Sequence, residues 1–129
     1  MSERLLIVDD NAINLKLARV LLAGEGYDVR TAEDASQMFA VLVEFRPDLI
    51  LMDIQLPGTD GLELARRLKR DEATMDIPIV ALTAYAMKGD GDRAFAAGCD
   101  GYIAKPIDTR TLAGSVRDYL VTAKAARTQ

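Results

Sequence analysis

Residues 48–53 read Asp-Leu-Ile-Leu-Met-Asp, an apolar run that ends directly at Asp53. An uninterrupted apolar run of this length, bounded by polar or turn residues, is typical of a strand buried in a parallel sheet. Three further runs follow the same plan: Leu5–Val8 ends at Asp9 and Asp10, Ile79–Leu82 ends at Thr83, and Tyr102–Ala104 ends at Lys105 and Pro106.

The polar residues that end these runs are groups that phosphoryl chemistry can use. If the four strands run parallel, their carboxyl ends meet at one edge of the sheet, which is where open α/β sheets bind ligands. That edge then carries the carboxylates of Asp9, Asp10 and Asp53 together with the hydroxyl of Thr83 and the ammonium group of Lys105. The sequence therefore predicts a ligand site there.

The segments between the runs carry apolar residues at helical spacing. The pattern predicts strands at 4–8, 27–31, 48–52, 79–82 and 101–104, separated by helices at 12–24, from an Asp34 cap to 45, at 62–68, at 85–98 and at 112–120. The apolar stripe of the first helix is expected to be Ile13, Leu17, Val20 and Leu21. The fourth helix is weaker because it contains Gly89 and Gly91, and an interior glycine costs roughly 0.5–1 kcal/mol relative to alanine.

Strands that alternate with helices of this length indicate βαβ units, which right-handed crossovers join into a parallel sheet. We expect an α/β, flavodoxin-like (βα)5 three-layer sandwich whose parallel five-stranded sheet has the order 2-1-3-4-5. The topological switch point of that order lies between the first and third strands. Asp9, Asp10 and Asp53 converge at this point.

The composition argues against several classes of function. The chain has 129 residues with 16 basic and 20 acidic side chains, and a net charge of -4 does not favour binding a nucleic acid, which needs a basic patch. Cys99 is the single cysteine and histidine is absent, so an internal disulfide and the usual zinc patterns are excluded. We expect Cys99 to be a small filler at a helix end.

The domain organisation expected from the sequence is simple. Residues 1–122 are expected to form one domain and residues 123–129 a short flexible tail, with no output domain. The N-terminus has no signal-peptide architecture, and the apolar runs are too short to span a bilayer. We therefore expect a cytoplasmic protein that does not bind membranes.

The acidic cluster is the strongest indication of chemistry. Three carboxylates within a few ångströms repel one another, and a bound cation relieves the repulsion; oxygen ligands suit Mg²⁺. Asp53, at the tip of a central strand, is then placed to attack phosphorus, while Lys105 and Thr83 contact phosphoryl oxygens. The alternative is a group of solvated loop acids, which is common for one aspartate but not for residues at matching strand ends.

Two local features stay open at this point. An X–Pro bond is cis in only about 5–6% of cases in folded proteins, so statistics favour a trans Lys105–Pro106 bond, whereas a tight turn that aims Lys105 into the pocket favours cis. Tyr102 is expected to be a half-buried aromatic residue on an edge strand.

Four stretches, taken in order, resemble the signature of the receiver domain of bacterial two-component response regulators. They are LLIVDDN at 5–11, DLILMDIQLPGTDG at 48–61, PIVALTA at 78–84 and GYIAKPI at 101–107. The resemblance covers residues 4–121. Residues 48–57 and 83–90 extend it to stand-alone, single-domain receivers.

The resemblance implies roles for the residues around the acidic cluster. Asp53 is the phospho-accepting aspartate. The Mg²⁺ ligands are Asp10 directly, Asp9 mostly through water, Asp53, and the backbone carbonyl of Gln55.

The resemblance also implies how the phosphoryl group is held. Lys105 binds phosphate, and its bond to Pro106 is cis. Thr83 is the switch hydroxyl, Tyr102 is the switch aromatic residue, and Ala84 presents its backbone N–H to the phosphoryl group.

The function that the resemblance implies is phosphoryl acceptance. A sensor or hybrid histidine kinase, or a histidine phosphotransfer protein, donates a phosphoryl group to Asp53 in the presence of Mg²⁺. The face formed by the fourth helix, fifth strand and fifth helix then changes to control a protein partner. We expect a phospho-accepting signalling domain rather than an enzyme, and a monomer when it is unphosphorylated.

Other functions remain open on the same residues. The chain could be a relay shuttle that passes phosphoryl groups between histidines, or a receiver excised from a hybrid kinase. A Mg²⁺-dependent phosphohydrolase typically carries a second aspartate two positions after the nucleophile, where this chain has Gln55. A scaffold with a vestigial pocket would need a lost pocket residue, and none is lost.

Overall fold

Five parallel strands form the main sheet: Arg4–Val8 (β1), Asp28–Ala32 (β2), Leu49–Asp53 (β3), Ile79–Thr83 (β4) and Gly101–Ala104 (β5). Five helices connect and follow them: Ala12–Gly24 (α1), Ala35–Glu44 (α2), Gly61–Arg70 (α3), Asp90–Ala96 (α4) and Leu112–Arg127 (α5). The computed structural model describes residues 3–56, 58–84 and 89–127, the side chains of 90 and 124–127 excepted.

The strand order is β2-β1-β3-β4-β5, and every neighbouring pair is parallel. This arrangement confirms the predicted α/β fold and the predicted order of the sheet. A short antiparallel ribbon, Gln55–Leu56 with Thr59–Asp60, follows β3 and was not predicted.

The strands alternate between two apolar cores, one on each face of the sheet. On β1, for example, Leu6 and Val8 belong to the core covered by α2, α3 and α4, whereas Leu5 and Ile7 belong to the core covered by α1 and α5. Side chains of successive strand residues point to opposite faces, so a strand that is apolar throughout must be covered on both. The molecule is therefore the three-layer sandwich that the uninterrupted apolar runs predict.

The predicted apolar stripe of α1 was wrong for Ile13 and Val20, whereas Leu21 of that stripe is partly buried against the core. The residues of α1 that are buried against the sheet are Leu15, Ala18 and Leu22. Ile13 and Val20 are 78% and 56% exposed. Apolar residues occur on nearly every side of this helix, so its periodicity alone does not fix which side faces the sheet.

The fourth helix also differs from the prediction. It begins after Gly89, whose backbone has the left-handed φ of 94° at the N-cap, so this glycine is not a helix interior residue. Residues 85–88 of the predicted helix lie outside the described residues. Strands β2 and β3 each lie one residue later than predicted, which makes Asp53 the last residue of β3.

At the C-terminus, α5 continues to Arg127, into the segment that was expected to be a flexible tail. Leu112, Val116 and Leu120 of α5 are buried, as the helical spacing predicted. None of the helices among the described residues is both long enough and apolar enough to cross a membrane.

Candidate functional site

The sheet register places Asp9 and Asp53 side by side. Val8 of β1 lies opposite Met52 of β3, and each of these residues is followed at once by an aspartate. Carboxylate oxygens of Asp9, Asp10 and Asp53 lie within 4.8 Å of one another. The acidic cluster predicted from the strand ends is therefore present at the switch point between β1 and β3.

Backbone turns hold the two buried carboxylates in place. Oδ1 of Asp9 accepts a hydrogen bond from the N–H of Asn11 at 2.9 Å, and Oδ1 of Asp53 accepts one from the N–H of Gln55 at 2.8 Å. Both aspartates are buried, whereas Asp10 is exposed. One carboxylate of the cluster therefore faces solvent while the other two are fixed by their own loops.

Lys105 reaches into this cluster from the end of β5. Its Nζ donates a hydrogen bond to Oδ2 of Asp53 at 2.8 Å and lies 3.2 Å from Oδ2 of Asp9. The backbone N–H of Lys105 donates to the carbonyl of Thr83 at 2.7 Å, which extends the pairing of β4 and β5 by one residue. The bond from Lys105 to Pro106 is cis. The isomer implied by the family resemblance is thus confirmed, and the statistical preference for trans was wrong here.

The electrostatics of the cluster are strained. Burial raises the pKa of Asp9, the negative charge of Asp53 adds to the rise, and the Asn11 N–H and Lys105 work against it. Burial on its own would lower the pKa of Lys105, but the hydrogen bond and charge of Asp53, with the charge of Asp9, outweigh it and raise that pKa. The single ammonium group therefore balances two buried carboxylates incompletely.

One oxygen of the cluster has room for a further ligand. Oδ2 of Asp9 is buried and makes no hydrogen bond to the described residues, although the Lys105 ammonium is nearby. A buried carboxylate oxygen without a hydrogen bond is costly, and a hard divalent cation satisfies it. The donor set is all oxygen, so the residues fit Mg²⁺; Asp9, Asp10 and Asp53 would hold it.

The helix after the nucleophile candidate packs unusually close to it. A Cβ added at Gly61, the first residue of α3, would lie 2.6 Å from the carbonyl oxygen of Asp53. The N–H of Gly61 donates to the carbonyl of Ile54, and the side chain of Asp60 caps the helix by accepting from the N–H of Leu62. Glycine at this position therefore lets α3 brace the backbone that carries Asp53.

The remaining predicted residues lie along the same edge. Thr83 is the last residue of β4 and is fully buried, and Ala84 follows it and is exposed. Gln55 is exposed in the short ribbon after β3. The structure brings these residues to the rim of the cluster; the roles of the Gln55 carbonyl and the Ala84 N–H stay predictions.

Tyr102 lies on β5, outside the acidic cluster. It is 38% exposed and meets Phe95 of α4, which is 51% exposed, edge to face with ring centroids 6.0 Å apart. No sequence pattern indicates Phe95 as a neighbour of Tyr102. Only the packing of α4 on β5 brings the two residues together, so no local signal could have found the pair.

A family model described as the response regulator receiver domain matches residues 5–117. The chain belongs to this family. Receiver domains are signalling domains that accept a phosphoryl group, use Mg²⁺ at an acidic pocket, and interact with histidine kinases and downstream partners.

Individual relatives narrow the resemblance. The polar-differentiation response regulator DivK of Brucella anthropi is 42% identical over 120 residues, which cover 93% of this chain and 98% of the relative. A crystal structure of a response regulator from Chloroflexus aurantiacus matches with a TM-score of 0.87 and 32% identity, covering 94% of this chain and 99% of its own. The chain is therefore similar to single-domain response regulators of the DivK type.

A third relative bears on the metal. The receiver domain of a sensor histidine kinase from Pseudomonas aeruginosa has a TM-score of 0.82 and 32% identity, covering 94% of this chain and 99% of its own. The structure of that protein has a magnesium ion coordinated in the active site cleft.

Proposed function

We propose that this chain is a cytoplasmic, single-domain response regulator that accepts a phosphoryl group from a phosphohistidine on Asp53 and then controls a protein partner. The arrangement of Lys105 carries the proposal. Its ammonium group bonds to Asp53 and touches Asp9, beside the exposed carboxylate of Asp10. Membership of the receiver family supports the same assignment.

In the proposed transfer, a carboxylate oxygen of Asp53 attacks phosphorus. A P–O bond forms as the P–N bond to the donor imidazole breaks, and the electron pair of that bond leaves with the imidazole nitrogen. Mg²⁺, when bound, screens the charge of the incoming phosphoryl oxygens. Asp53 loses its negative charge in the acyl phosphate, so the Lys105 ammonium is free to donate to a phosphoryl oxygen instead. The N–H of Gln55 keeps the Asp53 side chain oriented throughout.

The receiver is proposed to signal through α4, β5 and α5, which we call the output face. The hydroxyl of Thr83 binds the phosphoryl group, and the ring of Tyr102 turns inward into the space that this movement leaves. Phe95 and Tyr102 are both exposed on the output face, so an inward turn of one ring changes the surface that a partner meets. Such a change is a small two-state transition.

The phosphoryl donor is proposed to dock on the other side of the pocket, against α1. Ile13 and Val20 are exposed on this helix, and Asn11, the N-cap of α1, lies two residues after Asp9. An apolar surface this close to the acceptor suits a helical histidine domain, whose phosphohistidine must reach Asp53. The same surface serves a donor kinase and a histidine phosphotransfer protein.

Intact-mass spectrometry after incubation with acetyl phosphate tests the acceptor. We expect the wild-type chain to gain one phosphoryl group in Mg²⁺ and to gain none in EDTA. Asp53→Asn is expected to gain none under either condition. If the wild type gains nothing with acetyl phosphate or with a panel of phosphorylated histidine kinases, the proposed function is wrong and a scaffold role is favoured.

A pulse–chase experiment separates control of a partner from a relay. The phosphorylated chain is mixed with a histidine phosphotransfer protein, and the label on each protein is followed. We expect the label to stay on Asp53 until it is lost as inorganic phosphate. Rapid transfer of the label to histidine would instead support the relay.

A further inference from the structure

The ring of Tyr102 lies directly over a glycine of α4. A Cβ added at Gly91 would be 2.8 Å from Cε1 of Tyr102, 3.1 Å from Cζ and 3.2 Å from Cδ1. Real Cβ atoms essentially never approach another heavy atom within 3.0 Å. The tyrosine ring therefore occupies the space that any side chain at position 91 would fill.

Phe95 borders the same space one helical turn later. Its ring meets that of Tyr102 at an interplanar angle of 79°, an edge-to-face contact of the kind that aromatic pairs favour. Residues four apart lie on the same side of a helix. The Tyr102 ring thus packs against Gly91 on one side and Phe95 on another, and we call this position of the ring its seat.

The backbone under the ring is held from the opposite side. The hydroxyl of Tyr119 on α5 donates a hydrogen bond to the carbonyl of Tyr102 at 3.1 Å, and Tyr102 pairs with Ala81 of β4. Gly101 admits the Tyr119 ring, since a Cβ at that position would collide with it. A clash between a residue at 91 and Tyr102 must therefore be relieved by the ring, not by the strand.

We propose that Gly91 is a positioning residue that keeps the Tyr102 ring in its outward seat and so sets how readily the receiver switches. The inference rests on the proposed role of Tyr102 as the switch aromatic residue. In the seated state the ring lies against Gly91 of α4 and not in the inward position proposed for the switch. Loss of the seat raises the population of every other ring position, including the inward one.

Linkage turns this geometry into a measurable change of affinity. A ligand that binds only the inward state has an apparent affinity equal to its intrinsic affinity multiplied by the fraction of molecules in that state. The more molecules are in the seated state, the weaker the apparent binding. Destabilising the seat relieves that penalty without any contact between position 91 and the ligand. The expected gain is about fivefold, at the lower end of the usual range for coupled sites.

Gly91→Ala is the perturbation, and Gly114→Ala is its matched control. Both glycines lie in helices, so both changes favour the helix by the same intrinsic preference. In the described part of the chain no atom lies within 4 Å of a Cβ at Gly114. A difference between the two variants therefore reports the ring and not the helix.

The readout is the ¹⁹F NMR spectrum of protein labelled with 3-fluorotyrosine. The chain has four tyrosines, so the spectrum has four signals to assign. The Tyr102 signal is assigned from Tyr102→Phe. Without metal, we expect Gly91→Ala to move this signal toward its position in the wild type saturated with Mg²⁺ and beryllofluoride, a phosphoryl mimic. Gly114→Ala should leave it in place.

Titration with beryllofluoride in Mg²⁺ gives the second readout. We expect Gly91→Ala to bind about fivefold more tightly than Gly114→Ala, and the gain to vanish in a Tyr102→Ala background, because no ring then needs the seat. If the wild-type Tyr102 signal ignores beryllofluoride, the proposed switch is wrong and the inference falls with it. If the wild type responds but Gly91→Ala matches Gly114→Ala, the inference alone is overturned.

Discussion

Lys105→Met tests whether the acidic cluster depends on one buried cation. The Lys105 side chain is 18% exposed, and its partners Asp53 and Asp9 are 3% and 1% exposed. Two unit charges 4 Å apart attract by about 4 kcal/mol at an effective dielectric constant near 20. Removing one partner of a buried ion pair costs about 3–5 kcal/mol, because a charge is left unpaired. We expect Lys105→Met to lower the free energy of unfolding by an amount in this range at pH 7.5 without metal.

Lys69→Met is the matched control. Lys69 is 20% exposed, but its partner Asp100 is 48% exposed, at an N–O distance of 2.9 Å. Ion pairs with an exposed partner contribute about 1 kcal/mol or less. Both variants remove a partly buried ammonium group, but Lys69 also donates a hydrogen bond to the carbonyl of Ile77 at 2.9 Å. The difference in their free energies of unfolding is therefore a lower limit on the contribution of the buried carboxylates.

Mg²⁺ distinguishes a charge effect from a general packing defect. A cation that binds only the folded state adds about 2.7 kcal/mol at 100 times its dissociation constant. Lys105→Met removes a positive charge that competes with Mg²⁺. We therefore expect Mg²⁺ to reduce the difference in free energy of unfolding between this variant and the wild type, and to leave the corresponding difference for Lys69→Met unchanged. Urea unfolding followed by circular dichroism measures both. The reasoning would be refuted if Lys105→Met lowered the free energy of unfolding by only about 1 kcal/mol or less, or if Mg²⁺ did not reduce the difference from the wild type.

Two further predictions concern titration. The raised pKa of Asp9 means that the folded state holds this proton more tightly than the unfolded chain, so stability is lost as the pH rises through the folded pKa. Asp9→Asn should therefore raise the free energy of unfolding of the metal-free protein at pH 7.5, measured in urea, and reduce the stabilisation by Mg²⁺. A variant less stable than the wild type would contradict this. Burial raises the pKa of the Cys99 thiol from 9.0 to about 11. Native Cys99 should therefore react with iodoacetamide at pH 8 at least about 100-fold more slowly than in urea, and the free energy of unfolding should fall between about pH 9 and 11. Equal alkylation rates would show that the thiol is accessible in the folded protein.

The acidic cluster could be predicted because its geometry follows from topology. A parallel sheet brings the ends of its strands together; Asp9 follows β1 directly and Asp53 is the last residue of β3, whichever way the helices pack. Each apolar run is long enough to identify a buried strand without help from distant residues. The position of Asp53, Asp9 and Lys105 relative to one another therefore depends on local pattern and strand order alone.

Features set by contacts between helices could not be predicted in this way. The sequence of α1 is apolar on several sides, so only packing decides that Leu22 faces the sheet and Ile13 faces solvent. The seat of Tyr102 joins residues from α4 and β5 whose spacing in the sequence carries no information about the contact. Gly91 was interpreted from sequence as a weak point of a helix, whereas the structure shows an aromatic ring in the space beside it.

Borohydride trapping is the most direct test of the central claim that Asp53 accepts the phosphoryl group. The chain is phosphorylated with acetyl phosphate in Mg²⁺, the acyl phosphate is reduced to homoserine, and the peptides are sequenced by mass spectrometry. We predict homoserine at position 53 alone. Homoserine at position 9 or 10, or no homoserine in a sample whose intact mass has risen by one phosphoryl group, would contradict the account.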